Sequence, residues 1–572
     1  MKPLVVSIGS VTCAGMKATN QDALGHWIPH TSRLQSKGIA LAIADGISSS
    51  DVSQLASKAA ITQFLEDYYQ TSDTWSVKMS AENVIKSINA NLYAQSQNKP
   101  DRFNKDKGYV CTFSAIVLRS NYAHLFHLGD SRIYQLRDEK LEQLTTDHRH
   151  VVSSQERYLS RALGINPILE LDYQTQSITV GDVFILATDG VYEHIEADQF
   201  HQVIASANSL DKAAEQLINH ALQNGSQDNL SIQIVRIDQI PSHQTDDNDF
   251  SLRELPFPPP LRERMRFEGY EIFRPIQISS RSHVFLVYDL EHHEKLVMKT
   301  PSMELQDDTT FRETFMLEEW IAKRIDHPNV AKIKETTRGR SYLYLLMEYI
   351  EGKSLEQWMR DYPTPSLEQV RHIIGQIANG VQAFHRKAMI HQDIRPANIM
   401  IDDHDRIKII DFGSTQIAGV SHLLDTNVLR GTLRYSAPEY FLGHSGTERS
   451  DIYALGVIAY QMLSANRFPY SRKITEARSI SAQRKLIYRS LITEQSDLPV
   501  WLDDALQKAL HIDPSKRYDE VSEFIYDLHH PNQTFLKRAQ RPILQRNPII
   551  FWQGMSFLLV MVIVYMILDN QS

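Results

Sequence analysis

The hydrophobic pattern changes rhythm several times along this chain. Over residues 1–238, short apolar, β-rich runs at 5–10, 38–44, 111–118, 123–128, 131–136, 182–187 and 230–237 predict strands. Between them, residues 54–69 and 81–96 carry apolar side chains at helical spacing. Residues 239–266 break the pattern, first polar and then rich in proline (Pro256, Pro258, Pro259, Pro260). Proline favours extended backbone, so this stretch is expected to be a spacer that packs on neither neighbour. From Phe267 onward, β-like runs lead to an apolar strand ending at Lys299, a helix over about 311–325, a buried strand over 342–349 and a helix over 367–387. An apolar hairpin follows at 399–401 and 407–410. Residues 548–568 carry no charge and are long enough to cross a bilayer.

Composition narrows the class. A chain of 572 residues houses several domains, and 42% hydrophobic with 23% charged residues describes a globular protein rather than a disordered one. A net charge of −9 argues against nucleic acid as a partner. The two cysteines, Cys13 and Cys111, exclude a disulfide framework, read best as small buried side chains, and point to a reducing compartment. The apolar patch near Met1 is too brief to read as a secretory signal. Lys537, Arg538, Arg541 and Arg546 precede the apolar stretch without an acid among them, and Asp569 follows it. The excess of positive charge predicts that this side stays in the cytoplasm, with Trp552 and Tyr565 near the two interfaces. The expectation is a single-pass protein of the cell (inner) membrane: a basic juxtamembrane segment at 531–547, a transmembrane helix at 548–568, and all preceding domains cytoplasmic.

In residues 1–238 the acids fall at strand ends, mostly beside glycine: Asp22, Asp45, Asp130, Asp189 and Asp228. Carboxylates placed so converge on hard cations, and two such cations activate water and clamp a phosphoryl group. The pieces Asn20-Gln21-Asp22, Ala44-Asp45-Gly46, Gly129-Asp130-Ser131-Arg132, Leu144-Thr145 with Asp147-His148, Thr188-Asp189-Gly190-Val191 and Asp228-Asn229-Leu230 resemble, in order, the motifs of metal-dependent type 2C Ser/Thr phosphatases. The resemblance implies that Asp45, the Gly46 carbonyl, Asp189 and Asp228 bind two Mn²⁺ or Mg²⁺ ions. It makes Asp22 an outer ligand acting through water, Asp130 a ligand of a third, weaker site, and Lys17 the phosphate-binding cation. Two departures stand out: Ile47-Ser48-Ser49-Ser50 replaces further glycines, and Gln21 replaces a common Glu.

The stretch 391–413, HQDIRPANIMIDDHDRIKIIDFG, sets Asp393 and Asn398 on one loop and brings Asp411 into Asp-Phe-Gly. Phosphoryl transfer to a hydroxyl needs a carboxylate to orient the nucleophile and oxygen ligands for Mg²⁺ on the nucleotide. The set resembles the catalytic and metal-binding loops of protein kinases, over about residues 267–530. The resemblance implies ATP and Mg²⁺ as cofactors, Lys299 on the α- and β-phosphates with Glu318 holding it, and Val284 and Glu348 at the nucleotide. Glu319 is adjacent, but Glu318 keeps the better spacing to His327-Pro328-Asn329. Asp393 would orient the acceptor hydroxyl, Arg395 approach the γ-phosphate, and Asn398 and Asp411 hold Mg²⁺. Glu439 would pair with Arg517, and Asp451 would brace the catalytic loop. Gln277, Ser279 and Ser282 occupy the three glycine positions of the phosphate-covering loop. Gln392 stands where the family has Arg, which implies less dependence on activation-loop phosphorylation. Arg395-Pro396-Ala397 and Gly431-Thr432 resemble the Ser/Thr rather than the tyrosine pattern.

The expectation is an α+β multidomain chain: an α/β/β/α sandwich phosphatase domain (1–238), a Pro-rich linker (239–266), a two-lobed protein kinase fold (267–530), and the C-terminal transmembrane helix. Its function would be a membrane-anchored bifunctional Ser/Thr kinase and phosphatase acting on protein substrates, itself included. The alternatives are one active domain regulated by a degenerate partner, and a membrane scaffold of two pseudo-enzyme domains.

Overall fold

The computed structural model describes residues 3–569 apart from 74, 100–102, 105–106, 152–156, 242–254, 335–337, 339, 421–432, 494–497 and 533–547. Packing separates two compact units: Met1–Arg324 with Lys332–Glu348 and Gln416–Leu424, and Ile325–Ala331 with Tyr349–Thr415 and Asp425–Ser572. The boundary therefore falls inside the kinase-like half and not at the proline run.

The first unit begins with β1 (Val5–Cys13), β2 (Asp22–Trp27), α1 (Thr31–Lys37), β3 (Ile39–Asp45), α2 (Ser53–Tyr68) and α3 (Val77–Gln97). It continues with β4 (Phe113–Arg119), β5 (Tyr122–Leu128), β6 (Arg132–Arg137), β7 (Lys140–Gln143), β8 (Arg149–Val151), β9 (Arg157–Leu159) and β10 (Asp172–Ser177). Then come β11 (Val183–Ala187), α4 (Asp189–Tyr192), α5 (Ala197–Ser206), α6 (Leu210–Gln223) and β12 (Leu230–Gln239). Two five-stranded sheets form, in the orders β1-β12-β11-β6-β7 and β10-β5-β4-β3-β2. Their facing sides bury Leu41, Ile43, Ile116 and Leu125 against Phe184, Leu186 and Val235. Strand side chains alternate, so Ile185 and Ala187 point the other way, onto Ala213 and Leu217 of α6. Helices α2 and α3 cover the second sheet, completing the expected α/β/β/α sandwich. Helix α6 and strand β2 lay outside the expected set. Gly25 breaks the apolar rhythm of β2 because a Cβ there would stand 2.8 Å from the Leu65 side chain of α2.

The same unit continues with β13 (Arg266–Phe267), β14 (Tyr270–Ile278), β15 (Ser282–Asp289), β16 (Lys295–Pro301), α7 (Thr309–Lys323) and β17 (Leu345–Glu348). The five strands form one sheet in sequence order over a core of Tyr270, Ile272, Val287, Leu296, Met298 and Leu346. Asp308 caps α7 by accepting from the Phe311 N–H at 2.9 Å. The proline run is not a free spacer in its described part: Phe257 is buried, meets Phe311 edge-on at 6.5 Å, and the Leu255 carbonyl accepts from Arg312. Proline extends the backbone, and the aromatic residue between two prolines supplies the contact that composition alone did not show.

The second unit contains β18 (Lys353–Ser354), α8 (Leu355–Asp361), α9 (Leu367–His385), β19 (Ile399–Ile401), β20 (Ile407–Ile409), α10 (Glu448–Leu463), α11 (Val500–Ala509) and α12 (Val521–His529). Its core joins Ile373, Ile377 and Val381 of α9 to Ile452, Leu455 and Ile458 of α10 and to the β19–β20 hairpin. Ser366 and Gln369 form a capping box at the start of α9.

A helix spans Pro548–Asp569, with side chains described from Phe551 to Val562. Over the described residues, no helix is long and apolar enough to cross a membrane. The expected transmembrane helix is thus not supported by the described residues. Gly431, Thr432 and the basic residues Lys537, Arg538, Arg541 and Arg546 lie outside the described residues.

Candidate active sites

The sandwich brings its acids together. Asp22 opens β2 directly opposite Asp45, which closes β3. Thr188 Oγ1 donates to Asp22 Oδ2 at 3.0 Å, while Asp22 Oδ1 is buried without a partner. Burial raises the pKa of Asp45 well above the usual carboxylate range, and the charges of Asp22, Asp189 and Asp130 push it further. Asp189 starts α4; burial, then Asp130 and Asp228, raises it to about 7. Gly46 lies so close to the chain that a Cβ would stand 2.8 Å from the Gln21 carbonyl oxygen, so glycine is needed there.

Two cations answer these acids. Arg149 bonds Asp130 through Nε, Asp189 through Nη2 at 3.0 Å and Glu193 through Nη1 at 2.8 Å. Lys17 pairs with Asp228 and donates to Ser48 Oγ at 2.7 Å. Among the described residues no three His, Cys, Asp or Glu side chains stand at metal-holding spacing. The donor chemistry nevertheless fits a divalent cation: hard oxygens, mutual repulsion at Asp45, and an unpartnered buried oxygen on Asp22. Arg149 was missed in the sequence, where a single Arg after Asp147-His148 has no distinguishing signal. Gln21 turns away from the acids, its amide nitrogen donating to Ser50 O at 3.0 Å and Ser53 Oγ at 2.7 Å. A glutamate could not make those bonds.

In the third sheet, Val284 of β15 lies opposite Lys299 of β16. Lys299 Nζ donates to Glu318 Oε1 at 2.6 Å, both side chains buried. Glu319 serves other cations, Lys323 at 3.0 Å and Arg340 at 3.0 Å. At the glycine-loop positions, Ser279 Oγ donates to the Ser282 carbonyl at 2.8 Å and accepts from the Ser282 N–H at 3.1 Å. A serine hydroxyl thus closes the β14–β15 turn that glycine would otherwise make. Glu348 ends β17, its Oε1 accepting from the Lys332 N–H at 2.8 Å.

In the second unit, Asn398 Nδ2 donates to Asp393 Oδ2 at 2.7 Å, and Arg395 Nε reaches the same oxygen at 3.2 Å. Burial raises Asp393 to about 6, against the pull of Arg395 and Asn398. Asp451 accepts from the N–H groups of His391 and Gln392, each at 2.9 Å, and so fixes the loop on α10. Gln392 and Asp411 take positive φ, 65° and 68°. Ile410, the residue before Asp411, donates its N–H to the Asn398 carbonyl at 2.9 Å. Glu439 takes both Nη atoms of Arg517, at 2.8 and 2.7 Å.

Comparison with known proteins agrees with both halves. Residues 270–526 match the protein kinase domain, and residues 12–231 match protein phosphatase 2C. The serine/threonine-protein kinase PrkC of Bacillus subtilis (strain 168) is 27% identical over 267 residues, covering 45% of this chain and 40% of PrkC. The serine/threonine-protein kinase PknD of Chlamydia caviae is 29% identical over 289 residues, covering 46% of this chain and 31% of PknD. The chain thus spans two fifths or less of the length of these relatives. A solved S. agalactiae serine/threonine phosphatase is 21% identical, covering 41% of this chain and all of its own, with a TM-score of 0.37.

Proposed function

Because the chain joins a protein phosphatase 2C domain to a serine/threonine protein kinase domain, we propose that it both phosphorylates and dephosphorylates Ser/Thr side chains of protein substrates, itself included. The observation that carries this reading is the presence in one chain of three polar sets. Two are the Lys299–Glu318 pair of the first unit and the Asp393–Asn398 pair of the second. The third is the repelling acids Asp22, Asp45 and Asp189.

In the kinase reaction, Lys299, steadied by Glu318, holds the α- and β-phosphates of ATP. Asp393 orients the acceptor hydroxyl and takes its proton, and Arg395 faces the γ-phosphate. Asn398 and Asp411 are the residues that would hold Mg²⁺. In the phosphatase reaction, Asp45, the Gly46 carbonyl, Asp189 and Asp228 would hold two Mn²⁺ or Mg²⁺ ions, with Asp22 acting through water and Asp130 at a third site. Bound there, the ions supply positive charge to the phosphate and a water acidic enough to attack it at neutral pH. Lys17 binds the phosphate as a point charge after leaving Asp228.

Residues 548–568 anchor the chain in the cell (inner) membrane with the catalytic domains cytoplasmic. Supporting this, Trp552, Phe557, Leu558 and Leu559 expose apolar surface along one helix. Extraction of membranes with alkaline carbonate leaves an anchored chain in the pellet, and release would overturn the anchor.

A second reading, one active domain regulated by a degenerate partner, is favoured only by Arg149 and Lys17 pairing with the acids. Labelled ATP separates the two. If both domains are active, Asp45→Ala carries more label than the parent chain and Asp393→Ala carries none. Equal labelling of parent and Asp45→Ala, with no hydrolysis of para-nitrophenyl phosphate, selects the second reading.

A further inference from the structure

Helix α7 carries Glu318 on the side facing Lys299, and its adjoining positions are covered by the phosphatase domain. Consecutive helical residues point about 100° apart, so Glu319 with Lys323 and Trp320 with Arg324 form stripes beside Glu318. Ser72 Oγ, in the α2–α3 turn, donates to Glu319 Oε2 at 3.1 Å. Trp320 Nε1 donates to the Asp67 carbonyl at 3.3 Å, and its ring lies 5.6 Å from that of Trp75. Arg324 Nη2 pairs with Asp67 Oδ2 at 2.8 Å and its guanidinium stacks 4.8 Å over the Trp320 ring. Asp67, Ser72, Trp75, Glu319 and Arg324 are buried, and Trp320 completely. Lys37 Nζ backs the turn, donating to Thr71 Oγ1, the Ser72 carbonyl and Ser80 Oγ at 2.8, 2.5 and 3.0 Å.

A separate contact involves the segment that follows Asp-Phe-Gly. Gly419, at φ 79°, approaches α3 so closely that a Cβ would stand 2.4 Å from the Lys86 carbonyl oxygen. Two parts of the kinase sequence, α7 and the start of its activation segment, thus rest on adjacent phosphatase elements.

We propose that the α2–α3 face of the phosphatase domain is a built-in docking surface for α7, and that this contact sets Glu318 against Lys299. Asp67, Trp75, Trp320 and Arg324 are positioning residues that touch neither ATP nor substrate. The fit is incomplete: Trp75 Nε1 and Arg324 Nε and Nη1 are buried without partners. The kinase reaction therefore depends on the phosphatase fold as a body, apart from its hydrolytic chemistry. This inference rests on the kinase activity proposed above.

The test uses the full chain and the variants Asp67→Asn, Trp75→Ala, Trp75→Phe and Gly419→Ala. Three quantities are read: kcat and KM for ATP with a general protein substrate, amide exchange over residues 309–323, and hydrolysis of para-nitrophenyl phosphate. Asp67→Asn and Trp75→Ala should lower kcat/KM for ATP by about tenfold, within the usual range of coupling between sites, and speed exchange in α7. Hydrolysis should persist, and Trp75→Phe should restore the kinase values. Gly419→Ala should lower kcat with less change in KM. An active parent chain whose Asp67→Asn and Trp75→Ala variants match it in exchange and in kcat/KM overturns the inference alone. A parent chain that transfers no label overturns it together with the kinase reading.

Discussion

Glu318 and Glu319 are neighbours that answer different cations: the first accepts from Lys299 at 2.6 Å, the second pairs with Lys323 and Arg340, both at 3.0 Å. Although burial alone would raise the Glu319 carboxyl, Lys323 and Arg340 hold it down to about 2. Glu318→Gln should lower kcat/KM for ATP on the order of a hundredfold, as loss of a buried electrostatic contact at a reacting site does. Glu319→Gln leaves two half-buried cations without their carboxylate and should cost about 1–3 kcal/mol of stability, read by denaturant unfolding. Equal ATP dependence in Glu318→Gln and the parent would refute the assignment of Glu318.

Arg149 stands among Asp130, Asp189 and Glu193. In chelator, Arg149→Gln should melt below the parent, because three acids lose their shared cation. Saturating Mn²⁺ should narrow the gap, giving the variant a larger thermal shift than the parent. A ligand at a hundred times its Kd contributes about 2.7 kcal/mol. If Mn²⁺ shifts neither protein, the acids do not form a metal site.

Lys37 is fully buried, and that burial lowers its pKa to about 7. The unfolded chain holds this proton up to its ordinary value near 10.5, so between about pH 7 and 10.5 the unfolded state binds more protons than the folded one. Stability contributed by this residue therefore rises with pH through that window. Lys37→Met should flatten the rise, measured as melting temperature between pH 7 and 9. An unchanged pH profile would show that Lys37 titrates normally.

Thr415 is buried and its Oγ1 has no partner. Thr415→Val keeps the shape and removes the unsatisfied hydroxyl, so it should add about 1 kcal/mol of stability. Together with Ala at Ser414, Ser421 and Thr426 it should also leave kinase activity little changed, since Gln392 offers no guanidinium to a phosphorylated loop. Collapse of activity in those variants would contradict this reading of Gln392.

The acids of the sandwich were legible because each closes or opens an apolar run beside a glycine, as Asp45-Gly46 does. The kinase loops were legible because Asp393, Asn398 and Asp411 lie within one short stretch. The helix Leu210–Gln223 was missed although its apolar face is regular. Arg149, the Gln21 amide bonds and the Trp75–Trp320 pair share a different obstacle. Each is a long-range partnership whose members have no local periodicity or turn signal to mark them. The proline run misled for the same reason, since Phe257 acquires its role only from Phe311 and Arg312.

The contact between Asp67 and Arg324 bears on how such a chain is inherited and engineered. Cutting at the proline run would strip α7 of Asp67, Ser72 and Trp75 and leave an aromatic ring and a guanidinium bare to water. A transplanted kinase half would need a polar replacement at Trp320, and a transplanted phosphatase half would need one at Trp75. In this chain the two halves therefore work as a joined pair, and substitutions at Asp67, Trp75, Trp320 and Arg324 should be accepted only in compensating sets.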